Sequence, residues 1–529
     1  MKNRWLVFAV YLLATLIFYH KALQVYFLSD DWKLFYLLDR HGFSAIAFNF
    51  ESEFIRIVSC ALLSALYFVF GIGSAVPFHL LSVLLHAFNS ILVFILAEKI
   101  FSRYVIGEGS VFYSFIAGLL FLSLPYQVEA VTWMSGTSDL IACCFVLLSL
   151  IKYYDYKISN EKKQLVMSVL FFLPAVLSKE SSLFLPLFVL VLELWEKRRI
   201  FPSIRTVALF FFPLLFYLAI NKLLTGYFIT PGISIFTNMS FSLLAENYFL
   251  YTAKFFALYR LLPSEIREVL KLIAEHKAMG LMILTLAVAG GYFMVRKFWS
   301  VKKSEAGLIL LLLMAMMISL LPVIHLETSF VGSPQSDRYG YLPSVFFVIL
   351  VSVIISFVKR KVIVTGVLCL LIAWFYTGVQ IQNQNWIRAG EIVKGIVKKF
   401  NPKEGTLYIT NIPDNFNGAY VLRNGLGEAA SVLHHRDFLE SIHVISYQTI
   451  TSEKDAAHAE LLNDSACHII FSELEMKIPA AEKIFTLVPD TAHYAYSDVS
   501  DTSFTLTIKK PAPNINLYFY SRGNLHAVY

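Results

Sequence analysis

The chemistry this chain has to offer sits in four short ionisable clusters. Leu28-Ser29-Asp30-Asp31-Trp32 places two carboxylates side by side directly after an apolar run. Adjacent carboxylates repel, so one of them is expected to hold its proton more tightly than usual. Such a group is suited to accept a proton from a hydroxyl. The competing reading is a solvated helix start, with Ser29 or Asp30 capping a helix that begins at Trp32. Glu129 and Asp139 make the second cluster, with ordinary interfacial polarity as the alternative. In the third, Ser178-Lys179-Glu180-Ser181, Lys179 either offers a compact charge to a phosphate or pairs with Glu180. The fourth is Asp337-Arg338-Tyr339-Gly340-Tyr341-Leu342-Pro343. There Arg338 has the planar fork that grips a phosphate at two points, while Tyr339 and Tyr341 also suit an interfacial anchor. Arg56 is a further cation. His79, His86 and Asn89 recur at helical spacing, and hydrogen bonds between helices account for them better than a metal does.

Composition says what kind of element must hold these clusters. Of 529 residues, 57% are hydrophobic and only 15% charged, and the mean hydropathy is +0.64. A soluble chain of this length carries more surface charge. Apolar runs of about 17–25 residues recur up to about residue 380, each long enough to cross a hydrocarbon core of about 30 Å. Backbone in such a core must satisfy its own hydrogen bonds, and the runs lack the alternation of barrel strands, so helices are predicted. The expected spans are 5–23, 77–100, 111–126, 136–154, 164–178, 182–195, 206–222, 278–295, 306–324, 341–358 and 362–380, about eleven in all. The first resembles a secretion signal in position. It lacks a small-residue cleavage site and many spans follow, so it is read as a retained helix.

Charge tests this layout. With the N-terminus cytoplasmic, every second connection is basic: Lys2 and Arg4; Lys99 and Arg103; Lys157, Lys162 and Lys163; Lys197, Arg198, Arg199 and Arg205; Arg296, Lys297, Lys302 and Lys303; Lys359, Arg360 and Lys361. The net charge of +7 is thereby a membrane pattern and not a nucleic-acid surface. The opposite face receives the first outer loop 24–76, the turn 127–135, the outer loop 223–277, the loop 325–340 and everything after 380. Stretch 240–262, with Glu246, Lys254 and Arg260, is expected to be interfacial or re-entrant. All four clusters then fall on one side of the membrane, although they come from distant parts of the chain. That predicts one site at the outer leaflet surface, open to water and lipid headgroups.

Beyond residue 400 the pattern changes to short alternating strands at 406–410, 443–448, 468–471 and 503–508, with a helix at 418–434. The predicted architecture is an α-helical polytopic membrane domain, 1–390, followed by a small non-cytoplasmic α/β domain, 391–529. Cys60, Cys143, Cys144 and Cys369 lie in or near spans, and Cys467 is alone in the tail. No internal disulfide of the tail and no metal-ligand spacing follow from them.

The motifs, taken in order, resemble the GT-C glycosyltransferases, in particular bacterial relatives of the transmembrane tetratricopeptide-repeat O-mannosyltransferases and the protein O-mannosyltransferases. The resemblance covers roughly residues 20–390. It is carried by Asp30-Asp31; Arg56, Phe70-Gly71 and Phe78-His79-Leu80 through Leu85-His86 and Asn89; Pro125 to Glu129-Ala130-Val131 and Asp139-Leu140; Leu177-Ser178-Lys179-Glu180; Arg338-Tyr339 to Tyr341-Leu342-Pro343-Ser344; and Gln384-Asn385-Trp386. The family stretch His-Pro-x-His-x-Glu-Ala-Val reads here Leu124-Pro125-Tyr126-Gln127-Val128-Glu129-Ala130-Val131, with both histidines missing, and the repeats are absent. The resemblance implies an inverting transferase that moves a sugar from a polyprenyl-phosphate donor to a protein or glycan hydroxyl on the non-cytoplasmic face. It implies Asp30, Asp31, Glu129 and Asp139 as catalytic carboxylates, Arg56, Lys179 and Arg338 as donor-phosphate ligands, and Glu180, Asp337 and Tyr339 in support. The implied partners are the lipid-linked sugar, the acceptor and membrane lipids, in a bacterial inner membrane. A divalent metal is compatible with the carboxylates but not implied. A polytopic transporter or lipid flippase for glycan precursors is the rival reading, although charges at one face and no inverted repeat favour the enzyme.

Overall fold

The computed structural model describes residues 4–46, 56–105, 109–197, 200–228, 241–256, 303–326, 334–358, 360–400, 405–452, 454–463, 466–472, 485–489, 493–509 and 515–528, with isolated positions between 266 and 285. The apolar runs fold as helices: α1 (Arg4–Tyr19), α2 (Asp31–His41), α3 (Ile57–Phe70), α4 (Val76–Tyr104), α5 (Ser110–Ser123), α6 (Val128–Thr132), α7 (Thr137–Ser159), α8 (Lys162–Val176), α9 (Leu185–Lys197), α10 (Ile200–Ala208), α11 (Phe211–Thr225), α12 (Phe241–Phe256), α13 (Lys303–Leu320), α14 (Pro343–Ile355) and α15 (Lys361–Lys399).

Among the described residues six helical stretches are long and apolar enough to cross a bilayer: Trp5–Gln24, Val76–Tyr104, Met134–Ser159, Ile204–Thr225, Glu305–Val323 and Lys361–Lys398. A seventh follows if Ser110–Ser123 and Pro125–Thr132, bent by 54°, form one span. The chain is an integral membrane protein. The expected count of about eleven is not reached on these criteria. The reason is length. α8, α9 and α14 have 15, 13 and 13 residues, and at a rise of about 1.5 Å per residue they run only about 20 Å. Pro174 lies inside α8, and Lys179-Glu180 interrupts the apolar sequence after it. Expected span 278–295 and most of loop 223–277 lie outside the described residues.

The contacts divide the chain into two compact units: 1–20, 46–71 and 77–381 in one, 21–45, 72–76 and 382–529 in the other. In the first, α7 packs along α8, α13 along α14, and α14 against α5. Gly118 marks a close approach in α5. A Cβ there would lie 2.4 Å from the Tyr11 hydroxyl and 2.7 Å from the Ser90 carbonyl oxygen, so only glycine fits without a shift. Pro125 then breaks the α5 helix. Leu124 before it takes φ −57°, ψ 123°, the extended backbone that proline imposes on its predecessor. The bend turns the chain into the short helix α6, which carries Glu129.

The second unit joins α2 to a strand-rich tail. Its strands are β1 (Thr406–Ile409), β2 (Ile412–Phe416), β3 (Ala419–Tyr420), β4 (Ile442–Val444), β5 (Ser446–Ile450), β6 (Ala456–Asn463), β7 (Ala466–Ser472), β8 (Phe485–Leu487), β9 (Tyr494–Ser497), β10 (Ser503–Ile508), β11 (Ile515–Ser521) and β12 (Asn524–Ala527), with helix α16 (Leu426–His434). They form three four-stranded sheets ordered β12-β11-β1-β4, β6-β7-β10-β9 and β3-β2-β5-β8. β1 pairs parallel to β11 and β4, and β2 parallel to β5; the remaining pairs are antiparallel. Tyr408, Cys467, Ile469, Phe471, Phe504 and Leu517 are among its buried core. The helix expected over 418–434 begins only at Leu426. Gly425 at φ 91° stops it from extending backward, and residues before it pair as β3 instead.

Candidate functional site

In the first unit, α6 sets Glu129 against a short 3-10 turn, Pro334–Gly340. One Glu129 oxygen accepts the backbone N–H of Arg338 at 2.9 Å, and the other pairs with the Arg338 guanidinium. The guanidinium also donates to the Gln335 carbonyl at 3.2 Å and the Tyr339 hydroxyl at 3.1 Å. Its flat face lies over two rings, Trp133 at 4.9 Å and Tyr339 at 4.7 Å. A planar, weakly hydrated cation suits such stacking, which lysine would not reproduce.

The neighbouring Asp337 turns to another partner. It accepts from Lys254 of α12 at 3.0 Å, and the same ammonium donates to Ser336 Oγ at 2.7 Å. Lys179, in the turn between α8 and α9, pairs with Asp139 of the first turn of α7 and lies 5.3 Å from the centre of the Tyr339 ring. The N-terminal end of a helix favours a carboxylate such as Asp139. Arg56, ahead of α3, reaches Glu180 Oε2 at 3.4 Å.

Among the described residues four ion pairs result here: Arg56–Glu180, Lys179–Asp139, Lys254–Asp337 and Arg338–Glu129. Glu129, Asp139, Lys179, Asp337 and Lys254 are 5% exposed or less. Arg338 and Arg56 retain 14% and 29% side-chain exposure, so they are the cations a ligand can reach first. Burial, opposed by Asp139 and assisted by Arg56 and Arg338, pushes the Lys179 ammonium down to about 8. Desolvation disfavours a charged ammonium, and two nearby cations do the same. Of the residues expected from sequence, this unit therefore brings together Arg56, Glu129, Asp139, Lys179, Glu180, Asp337, Arg338 and Tyr339. Among the described residues, no three His, Cys, Asp or Glu side chains gather as metal ligands.

Asp30 and Asp31 belong to the second unit. The helix starts at Asp31, one residue earlier than expected, and Asp30 occupies the cap position without a side-chain capping bond. Asp31 is fully buried and accepts the Leu28 N–H at 2.9 Å. Asp30 is half-buried, and its Oδ1 accepts from Asn424 at 2.9 Å.

Two polar residues of the apolar helix α4 tie elements of the first unit together. His86 Nδ1 and Asn89 Nδ2 both meet the Tyr341 hydroxyl, at 2.8 and 3.1 Å, and Asn89 also donates to the Leu140 carbonyl at 2.9 Å. Gln127, where the family stretch has its second histidine, donates to Ser344 Oγ at 2.7 Å.

Sequence reasoning missed Trp133 and Lys254 as site residues. Trp133 follows Glu129 by four positions, a helical spacing that carries it to the same turn. Lys254 is a lone ammonium in the aromatic stretch Tyr248–Phe256, and charge stranded in an apolar helix is the signal. Its partner Asp337 lies 83 residues away, which no local pattern reveals.

No protein-family model matches the chain. It is similar to protein O-mannosyl-transferase Tmtc1 of Drosophila melanogaster, with 30% identity over 125 residues, 23% of this chain and 14% of that protein. It is 39% identical over 88 residues to protein O-mannosyl-transferase TMTC2 of Homo sapiens, covering 16% of this chain and 10% of that protein. The resemblance read from the motifs is thus a direct sequence similarity, and the matched segments span only a small part of those relatives. Among solved structures, the oligosaccharyltransferase of Archaeoglobus fulgidus aligns with 82% of this chain and 62% of its own, at 12% identity and a TM-score of 0.42. ArnT from Cupriavidus metallidurans, bound to undecaprenyl phosphate, aligns with 83% of this chain and 90% of its own, at 15% identity and a TM-score of 0.35.

Proposed function

We propose that this chain transfers a sugar from a polyprenyl-phosphate carrier to a hydroxyl of a protein or glycan, with inversion, at the non-cytoplasmic face of a bacterial inner membrane. The observation that carries the reading is the gathering of Arg338, Lys179 and Arg56 around Tyr339, Glu129 and Asp139. These residues come from segments that match the O-mannosyltransferase motifs in order. The similarity to proteins named protein O-mannosyl-transferase supports the same class.

The chemistry follows from the charges. The acceptor oxygen forms a bond to the sugar's anomeric carbon while the bond from that carbon to the phosphate oxygen breaks. Its electron pair leaves with the polyprenyl phosphate, whose charge becomes more negative. Arg338 and Arg56 are the reachable cations for that developing charge, and Lys179 adds a buried positive field. Glu129 and Asp139 hold the cations in place and are the groups we assign to sugar hydroxyls. The resemblance of the motifs, and no contact between the two units, leads us to assign the acceptor's proton to Asp30. We choose Asp30 over Asp31 because Asp31 is wholly buried against backbone, whereas Asp30 keeps some exposure.

The test uses purified full-length protein in lipid vesicles, polyprenyl-phosphate mannose and a hydroxyl-bearing acceptor peptide. Asp30→Asn is expected to lower turnover by roughly 100-fold or more, as loss of a general base does. Arg338→Ala is expected to raise the donor KM. Wild-type behaviour of both variants removes the assignment. Movement of the carrier across the bilayer without a covalent product would favour the transporter.

A further inference from the structure

We infer that Asn424, in the turn 421–425 of the C-terminal stretch, is a positioning residue for the Asp30 carboxylate. The inference rests on the reading of Asp30 as the proton acceptor. Three contacts within the second unit converge on the Leu28–Asp31 turn from this one segment. The Ser29 N–H donates to the Val421 carbonyl at 3.0 Å. Gly425 sits at φ +91°, and a Cβ there would lie 2.3 Å from the Ser29 carbonyl oxygen and 3.2 Å from Trp32 Cβ. The Asn424 amide donates to Asp30 Oδ1 at 2.9 Å, across 394 residues of sequence.

The acid turn needs such support. Ser29 has φ 44°, a left-handed backbone that a residue with a Cβ holds only when its surroundings impose it. Here the surroundings are the Val421 carbonyl and the bare face of Gly425. The helix behind the turn is held by the same region. α2 packs against α16, and Tyr36 donates to Asp437 at 2.9 Å. Residues 421–437 therefore set the backbone of the acid turn, and Asn424 sets the carboxylate. An amide donating to one Asp30 oxygen leaves the other for the acceptor's proton and fixes the direction in which it points. A base misplaced by about 1 Å loses much of its effect on rate, because proton transfer requires hydrogen-bond reach.

The experiment measures steady-state transfer by the full chain in vesicles with polyprenyl-phosphate mannose, for Asn424→Ala, Asn424→Asp, Asp30→Asn and the double variant Asp30→Asn/Asn424→Ala. Asn424→Asp is nearly isosteric and carries the test should the alanine variant fail to purify as a single species. Both single changes at 424 are expected to lower kcat about tenfold, with the donor KM and the thermal unfolding midpoint unchanged. In the Asp30→Asn background, loss of Asn424 is expected to add nothing, because the two act as one unit. If Asp30→Asn is impaired while both 424 variants turn over at the wild-type rate, the positioning role is overturned and the base stands. If the 424 change lowers the residual rate of Asp30→Asn by the same factor, its role is not through Asp30 and the inference fails. If Asp30→Asn turns over normally, the base assignment fails and takes the inference with it.

Discussion

At the scale of single residues, Lys179 is the most informative group. It is buried, paired with Asp139, within reach of the Tyr339 ring, and held down to about 8 by burial and by Arg56 and Arg338. An ammonium is charged below its pKa and neutral above it. The positive field that Lys179 adds at the candidate phosphate site is therefore complete only well below pH 8, is half lost near that value and fades above it. Donor affinity is expected to fall across the same window. Lys179→Arg, which stays charged, is expected to flatten that limb. Titration of polyprenyl phosphate binding between pH 6.5 and 9.5 checks both, and a flat wild-type profile would remove Lys179 from the phosphate field. Exposure decides the division of labour among the other cations: Arg338 and Arg56 keep access to solvent, whereas Lys254 at 5% exposure does not.

At the scale of elements, the turn Pro334–Gly340 matters most. It is clamped from two sides, by Glu129 of α6 on Arg338 and by Lys254 of α12 on Asp337. A buried ion pair adds little net stability over apolar packing, but removing one partner leaves a buried charge uncompensated. Lys254→Ala is therefore expected to cost about 3–5 kcal/mol and to disorder the Arg338 turn, whereas Lys254→Met with Asp337→Leu is expected to recover most of the stability. Thermal unfolding of the purified variants measures this. If Lys254→Ala unfolds at the wild-type temperature, the clamp is not what holds the turn. Helix length operates at this scale too. α8, α9 and α14 are apolar along most of their length, yet too short to pass as full spans. Prolines and the Lys179-Glu180 turn cut the apolar runs where ionisable side chains are needed.

For the whole molecule, the basic residues at alternate connections set a direction of insertion. The N-terminus is expected in the cytoplasm and the strand-rich tail outside. In a variant lacking the five native cysteines, a cysteine at Ser500 is expected to react with a membrane-impermeant maleimide on intact cells. One at Asn160 is expected to react only after permeabilisation. The reverse pattern would invert the topology and remove the non-cytoplasmic site. Both positions are exposed, so access from the aqueous side, and not burial, determines the outcome.

The one-dimensional pattern determined what depends on local sums. Hydropathy over a window the width of a bilayer announces a membrane protein, and strand-like alternation after residue 400 announces a different kind of unit. The ionisable residues that do not belong in apolar surroundings, Glu129, Asp139, Lys179 and Arg338, announce themselves by their cost. Pairing is another matter. That Arg338 takes Glu129 while its neighbour Asp337 takes Lys254, and that Asn424 meets Asp30, are decided by chain closure over 209, 83 and 394 residues. A charge pattern read along the chain assigns Lys179 to the adjacent Glu180. The fold gives it Asp139 instead and hands Glu180 to Arg56, because in a low-dielectric interior each charge must find a partner in space, and neighbours in sequence point elsewhere.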